Sequence, residues 1–290
     1  MWLLIIILIP SIICSFLHLY HLISKRTLRV ALNNHPIIAL ICTTFFIQLI
    51  DIPLYIHYLR LGYVWPQTAV YCIIWWNTDG PPFGTMVTII AEASLTRHIL
   101  IFHDKLLSTS KKRLFFHYIP LIITTVYPFV YLVLLQIFIK CDEPFPYDYT
   151  LPWCGYYPCF GYYSFFSQWM YYFNLVGGTI IAVISDIALI GRVIWQRHIR
   201  LHQPFLWKKY RKMAIQLLSV SIFCSSFNSP MIIYGVLIYS GVLLDNNDNL
   251  TVDLYFVSCL GMLFTPIVMI LSLPKKYWWG KWRMKFFGRR

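Results

Sequence analysis

Residues Tyr71–Ile99 read YCIIWWNTDGPPFGTMVTIIAEASLTRHI, long enough as a helix to cross a bilayer yet carrying Asp79, Glu92 and the pair Pro81-Pro82. A hydrocarbon core about 30 Å thick takes roughly 20 residues of helix. Counted as a crossing, this stretch is the third of seven, with Leu3–Ile23, Pro36–Ile56, Leu114–Ile139, Phe165–Val193, Ala214–Leu244 and Leu254–Leu273. The seven runs leave no segment of the 290 residues for a soluble domain and predict an all-α membrane protein, a seven-transmembrane helix bundle.

Charge orients it. Of the 24 Lys and Arg, all but Arg60 and Lys140 lie at the C-terminal ends of the third and fifth runs, in the segments after the first, third and fifth, or in the tail after the seventh. By the positive-inside rule those segments are cytoplasmic, so the N-terminus is outside and the C-terminus inside. The acids Asp142, Glu143, Asp148, Asp245, Asp248 and Asp253 fall on the outer side, and Asp104 is the acid of the inner loops. The net charge of +13 is then attraction to anionic inner-leaflet lipid, not to nucleic acid. The first run is longer than the apolar core of a signal peptide and has no charged segment before it, so it is expected to remain as a helix. Met1 lies almost inside that run, which implies either a minimal outer tail or a longer natural chain.

Four cysteines, Cys72, Cys141, Cys154 and Cys159, lie on the outer side, where thiols oxidise; they allow three pairings, and their spacing does not choose among them. The Pro-, Tyr- and Cys-rich stretch Lys140–Tyr163 reads as a stapled lid. Cys14, Cys42, Cys224 and Cys259 lie within apolar runs as small packing residues. Asn249-Leu250-Thr251 is an N-glycosylation sequon on the outer side.

Ionisable groups inside a membrane are costly and mark candidate functional sites; here they are Asp51, Asp79, Glu92 and Asp186. Asp79 precedes Gly80-Pro81-Pro82, where two missing amide donors are expected to kink or open the helix. It reads as an anionic floor for a ligand cavity, suited to a cationic ligand, or as an acceptor for irregular backbone. His18 and His21, one turn apart, lack a third ligand for a metal and read as interhelical hydrogen-bond donors. Nucleotide-loop, nucleophile-elbow and zinc-protease motifs are absent, so neither enzyme chemistry, nor a cofactor, nor a metal is expected.

Trp65, seven residues before Cys72, and Arg97, twenty-five after it, are spaced as in the rhodopsin-like (class A) G-protein-coupled receptors, which the chain resembles as a divergent member. Leu28, Asn33, Pro230, Pro266 and a basic-aromatic segment after Leu273 extend the resemblance over nearly the whole length. The departures are specific. The family's Asp-Arg-Tyr reads Thr96-Arg97-His98, its helix 1 Asn and helix 2 Asp fall on Ser15 and Thr43, and its Asn-Pro-x-x-Tyr reads Thr265-Pro266-Ile267-Val268-Met269. Phe227-Asn228-Ser229-Pro230 replaces the aromatic toggle, Gly177-Gly178 stands in for a missing proline in the fifth run, and Cys259 occupies the retinal Lys position. A sodium site is therefore not expected, while hydroxyls between the first, second and seventh runs keep a neutral polar network.

The resemblance implies a receptor domain over residues 1–274 and a basic-aromatic cytoplasmic tail over 275–290 forming a short amphipathic eighth helix. It implies a multi-pass plasma-membrane protein that transduces an extracellular small molecule, amine or peptide to a heterotrimeric G protein. Asp79, Met231, Ile232 and Tyr255 would bind the ligand, Arg97 would couple to the G protein, and Thr96, Asn228, Pro230, Thr265 and Pro266 would form the activation switch. Cys72 would be disulfide-bonded, to Cys154 or alternatively to Cys159 or Cys141. With Thr96 beside it and no acid in Lys208–Lys212, Arg97 is expected to lack its usual resting-state partners, giving appreciable basal signalling. A seven-helix transporter or channel is an alternative favoured by the buried acids and opposed by Arg97 and the stapled lid, and a non-signalling receptor-like protein or a membrane-embedded enzyme is another.

Overall fold

The computed structural model describes residues 1–139, 147–155, 164–199, 204–242 and 248–271. Cys141, Cys159, the side chains of Lys208–Lys212 and the tail from 275, with its expected eighth helix, lie outside the described residues. No strand occurs among those described. The long helices are α1 (Trp2–Ser24), α2 (His35–Leu49, continued as Asp51–Leu61 after a turn at Ile50) and α3 (Ala69–Phe102). They are followed by α4 (Ile119–Phe138, entered through the π-helical turn Leu114–Tyr118), α5 (π-helical over Trp169–Gly177, α-helical over Gly178–Ile199), α6 (Pro204–Tyr239) and α7 (Asp248–Leu271).

Six of these, α1, α2 and α4 to α7, are long and apolar enough to cross a membrane, which makes the chain an all-helical, multi-pass membrane protein. α3 has the length, at 34 residues, but not the apolarity. Its surroundings explain why. It packs against α2, α4, α5 and α6 at once, and from Pro81 to Arg97 nearly every residue is buried. A helix that faces protein instead of lipid need not be apolar, provided its polar groups find partners on its neighbours. The peripheral helices show the opposite pattern: Ile6, Ile9, Ile13 and Phe16 of α1 and Ile122, Val126, Val130 and Val133 of α4 are exposed, an apolar surface far larger than a soluble protein leaves bare. α1 closes the bundle by packing against both α2 and α7, and α6 lies between α5 and α7.

Local chemistry sets the helix ends. The Thr68 hydroxyl caps α3 by accepting from the Tyr71 N–H at 3.4 Å. Pro36 and Pro120 stand in the first turns of α2 and α4, where no amide donor is needed. α2 ends at Gly62, whose φ of 76° is left-handed and whose N–H donates to the Tyr58 carbonyl. The expected opening at Pro81-Pro82 does not occur, because α3 runs continuously through both prolines. Both are buried against neighbouring helices, and such packing is what lets membrane helices tolerate proline. The irregularity falls instead on α5, whose π-helical stretch ends at Gly177. Gly178 then approaches α3 so closely that a Cβ there would sit 3.0 Å from Val87 Cγ1.

Candidate functional site

Near its N-terminal end α3 is tied to the loop 147–155, the expected lid, by the disulfide Cys72–Cys154, Cα–Cα 5.8 Å, which selects one of the three pairings open to the sequence. The lid folds on itself and on α2. The Asp148 N–H donates to the Cys154 carbonyl at 2.9 Å, the Val64 N–H to the Tyr149 carbonyl at 2.7 Å, and the Tyr58 hydroxyl to the Thr150 carbonyl at 3.0 Å. Thr150 donates to Asp148 Oδ1 from its hydroxyl (2.6 Å) and its backbone N–H (2.9 Å), and these bonds hold the Asp148 carboxyl below the usual carboxylate range. The turn then runs left-handed through Trp153 (φ 52°), Cys154 (φ 62°) and Gly155 (φ 58°). For the first two, which carry a Cβ, that conformation costs about 1–2 kcal/mol each. It places the Trp153 ring edge-on to Tyr255, with centroids 4.6 Å apart at 87°, and 6.2 Å from Trp75.

Beneath Trp153, α2, α3 and α7 meet at a buried acid pair. The Tyr255 hydroxyl lies 2.7 Å from Asp51 Oδ2 and 2.7 Å from Asp79 Oδ1, and the Trp75 indole N–H donates to Asp51 Oδ1 at 3.1 Å. A phenol has one proton, so Tyr255 donates to only one carboxyl at a time. The second contact needs another proton. The candidates Asp79 and Tyr255 are thus brought together. Ile232 is not with them: it is buried at the contact between α5 and α6, where its carbonyl accepts from the Tyr171 hydroxyl, and its neighbour Met231 is half-buried. Asp51, singled out in the sequence only as an intramembrane acid, belongs to the same site; its signal was a charge in the outer half of the second run.

Near the C-terminal end of α3 Arg97 is 2% exposed, and its Nη1 lies 3.8 Å from Asp186 Oδ1 on α5. The resemblance points to the loss of Arg97's two usual partners and does not foresee this other acid, Asp186. The restraint comes from across the bundle, a pairing that spacing along α3 could not reveal. Thr96 does not face Arg97 as a substitute partner but donates to Glu92 Oε1 at 2.5 Å, one turn earlier on α3. Glu92 in turn stands 4.0 Å from His117 Nδ1, and His117 Nε2 is 3.1 Å from His35 Nδ1.

Between the two ends, Thr265 Oγ1 on α7 lies 3.1 Å from Cys224 Sγ on α6, and Asn228 Nδ2 donates to the Cys224 carbonyl at 2.9 Å. The switch candidates Asn228 and Thr265 therefore share Cys224, while Pro230 and Pro266 lie inside α6 and α7. Asn228 also borders a cavity of about 10 Å³ between α3, α5 and α6, and its Oδ1 is buried without a partner. That volume is at the lower limit for one water. A neutral network does join α1, α2 and α7: Ser15 Oγ donates to Gln48 Oε1, Gln48 Nε2 to Ser11 Oγ, and Ser11 Oγ to the Leu263 carbonyl at 2.5 Å. Thr43 stands apart and bonds the Ala39 carbonyl of its own helix. His18 is buried with both ring nitrogens unpartnered, so the interhelical donor role expected for it is not realised. Among the described residues no cluster of His, Cys, Asp and Glu is placed to hold a metal. Asn249 is exposed at the start of α7. No family model and no curated protein matches the chain.

Proposed function

We propose that the chain is a G-protein-coupled receptor of rhodopsin-like type in the plasma membrane, with α3 as its seventh crossing, the Trp153 lid outside and Arg97 at the cytoplasmic end. One observation carries this reading. The helix that ends outward in the acid pair and the disulfide ends inward in a buried, acid-paired arginine, so a single rigid element joins a candidate ligand site to a candidate effector site. The ligand class that fits is a cation of the size of an amine or a basic peptide side chain, which supplies the charge that Asp51 and Asp79 share.

Binding of such a cation competes with the Tyr255 hydroxyl and displaces Trp153, altering how α3 and α7 pack. A ligand shifts the equilibrium only by its differential affinity for the two states, and contacts to both acids provide that difference. The responding change is outward movement of α6 about Pro230, with Arg97 leaving Asp186 to meet the α subunit of a heterotrimeric G protein. The test is nucleotide exchange on a purified heterotrimer by the full chain in lipid nanodiscs, with ion or substrate flux measured in parallel vesicles. Exchange above that of empty nanodiscs supports the receptor; flux without exchange contradicts it.

A further inference from the structure

Where α3 and α5 reach their inner ends, His98, Ala188, Gly191, Arg192 and Trp195 line an open cavity of about 320 Å³. That is at the low end of the roughly 300–1,000 Å³ range of small-molecule sites. The α5 residues recur every three or four positions and so share one face of the helix. Gly191 leaves the wall bare, since a Cβ there would meet no atom within 4 Å.

The polar groups of this cavity are all bases. Arg192 Nη1 lies 3.5 Å from His98 Nε2 and 3.5 Å from His103 Nε2, the outer limit of a hydrogen bond, and the guanidinium carbon sits 4.6 Å over the Phe102 ring. The ring contact fixes the plane of the fork without using its N–H groups on an acid. Among the side chains described, which do not include that of Asp104, no carboxylate lies within ion-pair distance of Arg192; Asp186, on the same helix, is paired with Arg97.

Depth identifies the source of an anion. In the sequence the apolar run of α5 gives way to bases at Arg192, Arg197 and Arg200, which places Arg192 where the hydrocarbon ends and the headgroups begin. Ile184, Ile187 and Ile190 are exposed just before it along α5, and Trp195 just beyond is 68% exposed, an aromatic at the interfacial level. We propose that this cavity binds the phosphate of an anionic phospholipid headgroup. The Arg192 fork takes two phosphate oxygens, His98 and His103 add donors, and Trp195 lies along the glycerol region. The site needs only the depth of Arg192, and the orientation proposed above adds that the leaflet is the cytoplasmic one.

The full chain in phosphatidylcholine nanodiscs, with and without phosphatidylinositol 4,5-bisphosphate, tests this by native mass spectrometry of retained lipid and by melting temperature. Wild type retains the phosphorylated lipid and melts higher with it. Arg192→Gln lowers retention about tenfold or more, the scale of one charged hydrogen-bonded contact. Arg192→Lys is intermediate, and Lys111→Gln, on the exposed inner loop, retains lipid as wild type does. Equal retention by Arg192→Gln, or an equal loss in Lys111→Gln, overturns the site. Competition by soluble inositol trisphosphate as strong as by the lipid itself overturns the membrane source in favour of a free phosphate ester. Melting of the variants in plain phosphatidylcholine shows whether they fold, and none of these readouts depends on G-protein coupling.

Discussion

Arg97 and Asp186 form an ion pair between α3 and α5, 3.8 Å apart and buried near the C-terminal end of α3. Their geometry is loose: Arg97 Nε and Nη1 and Asp186 Oδ1 have no hydrogen-bond partner. A pair held this way contributes modestly when made, yet losing one partner strands a buried charge at a cost of about 3–5 kcal/mol.

That asymmetry predicts the outcome of Asp186→Asn. Freed from its acid, Arg97 shifts the population towards the state in which it faces the cytoplasm, and each 1.4 kcal/mol of lost restraint raises that population about tenfold. Basal nucleotide exchange at equal expression should rise several-fold, and melting temperature should fall. An unchanged or lower basal rate in Asp186→Asn would show that Arg97 is not the restrained group.

Tyr255→Phe removes the hydroxyl that lies between Asp51 and Asp79. The pair, Asp51 buried and Asp79 half-buried, then loses the one hydroxyl proton it shares, with an expected loss of about 1–3 kcal/mol read as a lower melting temperature. Asp79→Asn should abolish or strongly weaken responses to cationic amines and basic peptides. Equal responses in wild type and Asp79→Asn would remove the acid pair from ligand binding.

Cys154→Ser releases the lid from α3 across 82 residues of sequence. Loops of that length are stabilised by about 4 kcal/mol in the chain-entropy description, so the variant and the reduced wild type should melt lower by comparable amounts. Trp153, no longer held in its left-handed turn, should leave Tyr255. Quenching of its fluorescence by an aqueous quencher should rise in both, against Trp153→Phe as the blank.

The outer turn should be acid-sensitive through Asp148. Its carboxyl is held below the usual range by Thr150, so the contribution is present above the unfolded value, roughly 3.9, and is lost as pH falls through the folded value. Hydrogen exchange of the Thr150 amide should therefore accelerate, relative to Asp148→Asn, only at the acid end of a pH series. The exchange difference between the two proteins should be greatest above pH 4.

Six helices were legible in the sequence because lipid demands uninterrupted apolar residues, and that demand leaves a composition signal in each helix alone. α3 carries a weaker signal for the opposite reason: surrounded by protein, it is free to hold Asp79, Glu92 and Arg97. Asp79 and Tyr255 were found one at a time, from an intramembrane charge and from a resemblance. Their contact with Asp51, and that of Arg97 with Asp186, depend on which faces of separate helices meet, and no spacing within one helix encodes that. An opening of α3 at the prolines is the expectation for a solitary helix, whereas Pro81 and Pro82 are buried among neighbours and the helix runs through them.

The whole account turns on whether α3 crosses the membrane. Gln67, just before α3, and Lys111, beyond its far end, are both exposed, so Gln67→Cys and Lys111→Cys can be labelled in cells with a membrane-impermeant maleimide, using wild type as background. Labelling of Gln67→Cys in intact cells, with Lys111→Cys reacting only after permeabilisation, is the predicted result. Labelling of both from the same side would leave α3 uncrossed and separate the acid pair from any role in signalling through Arg97.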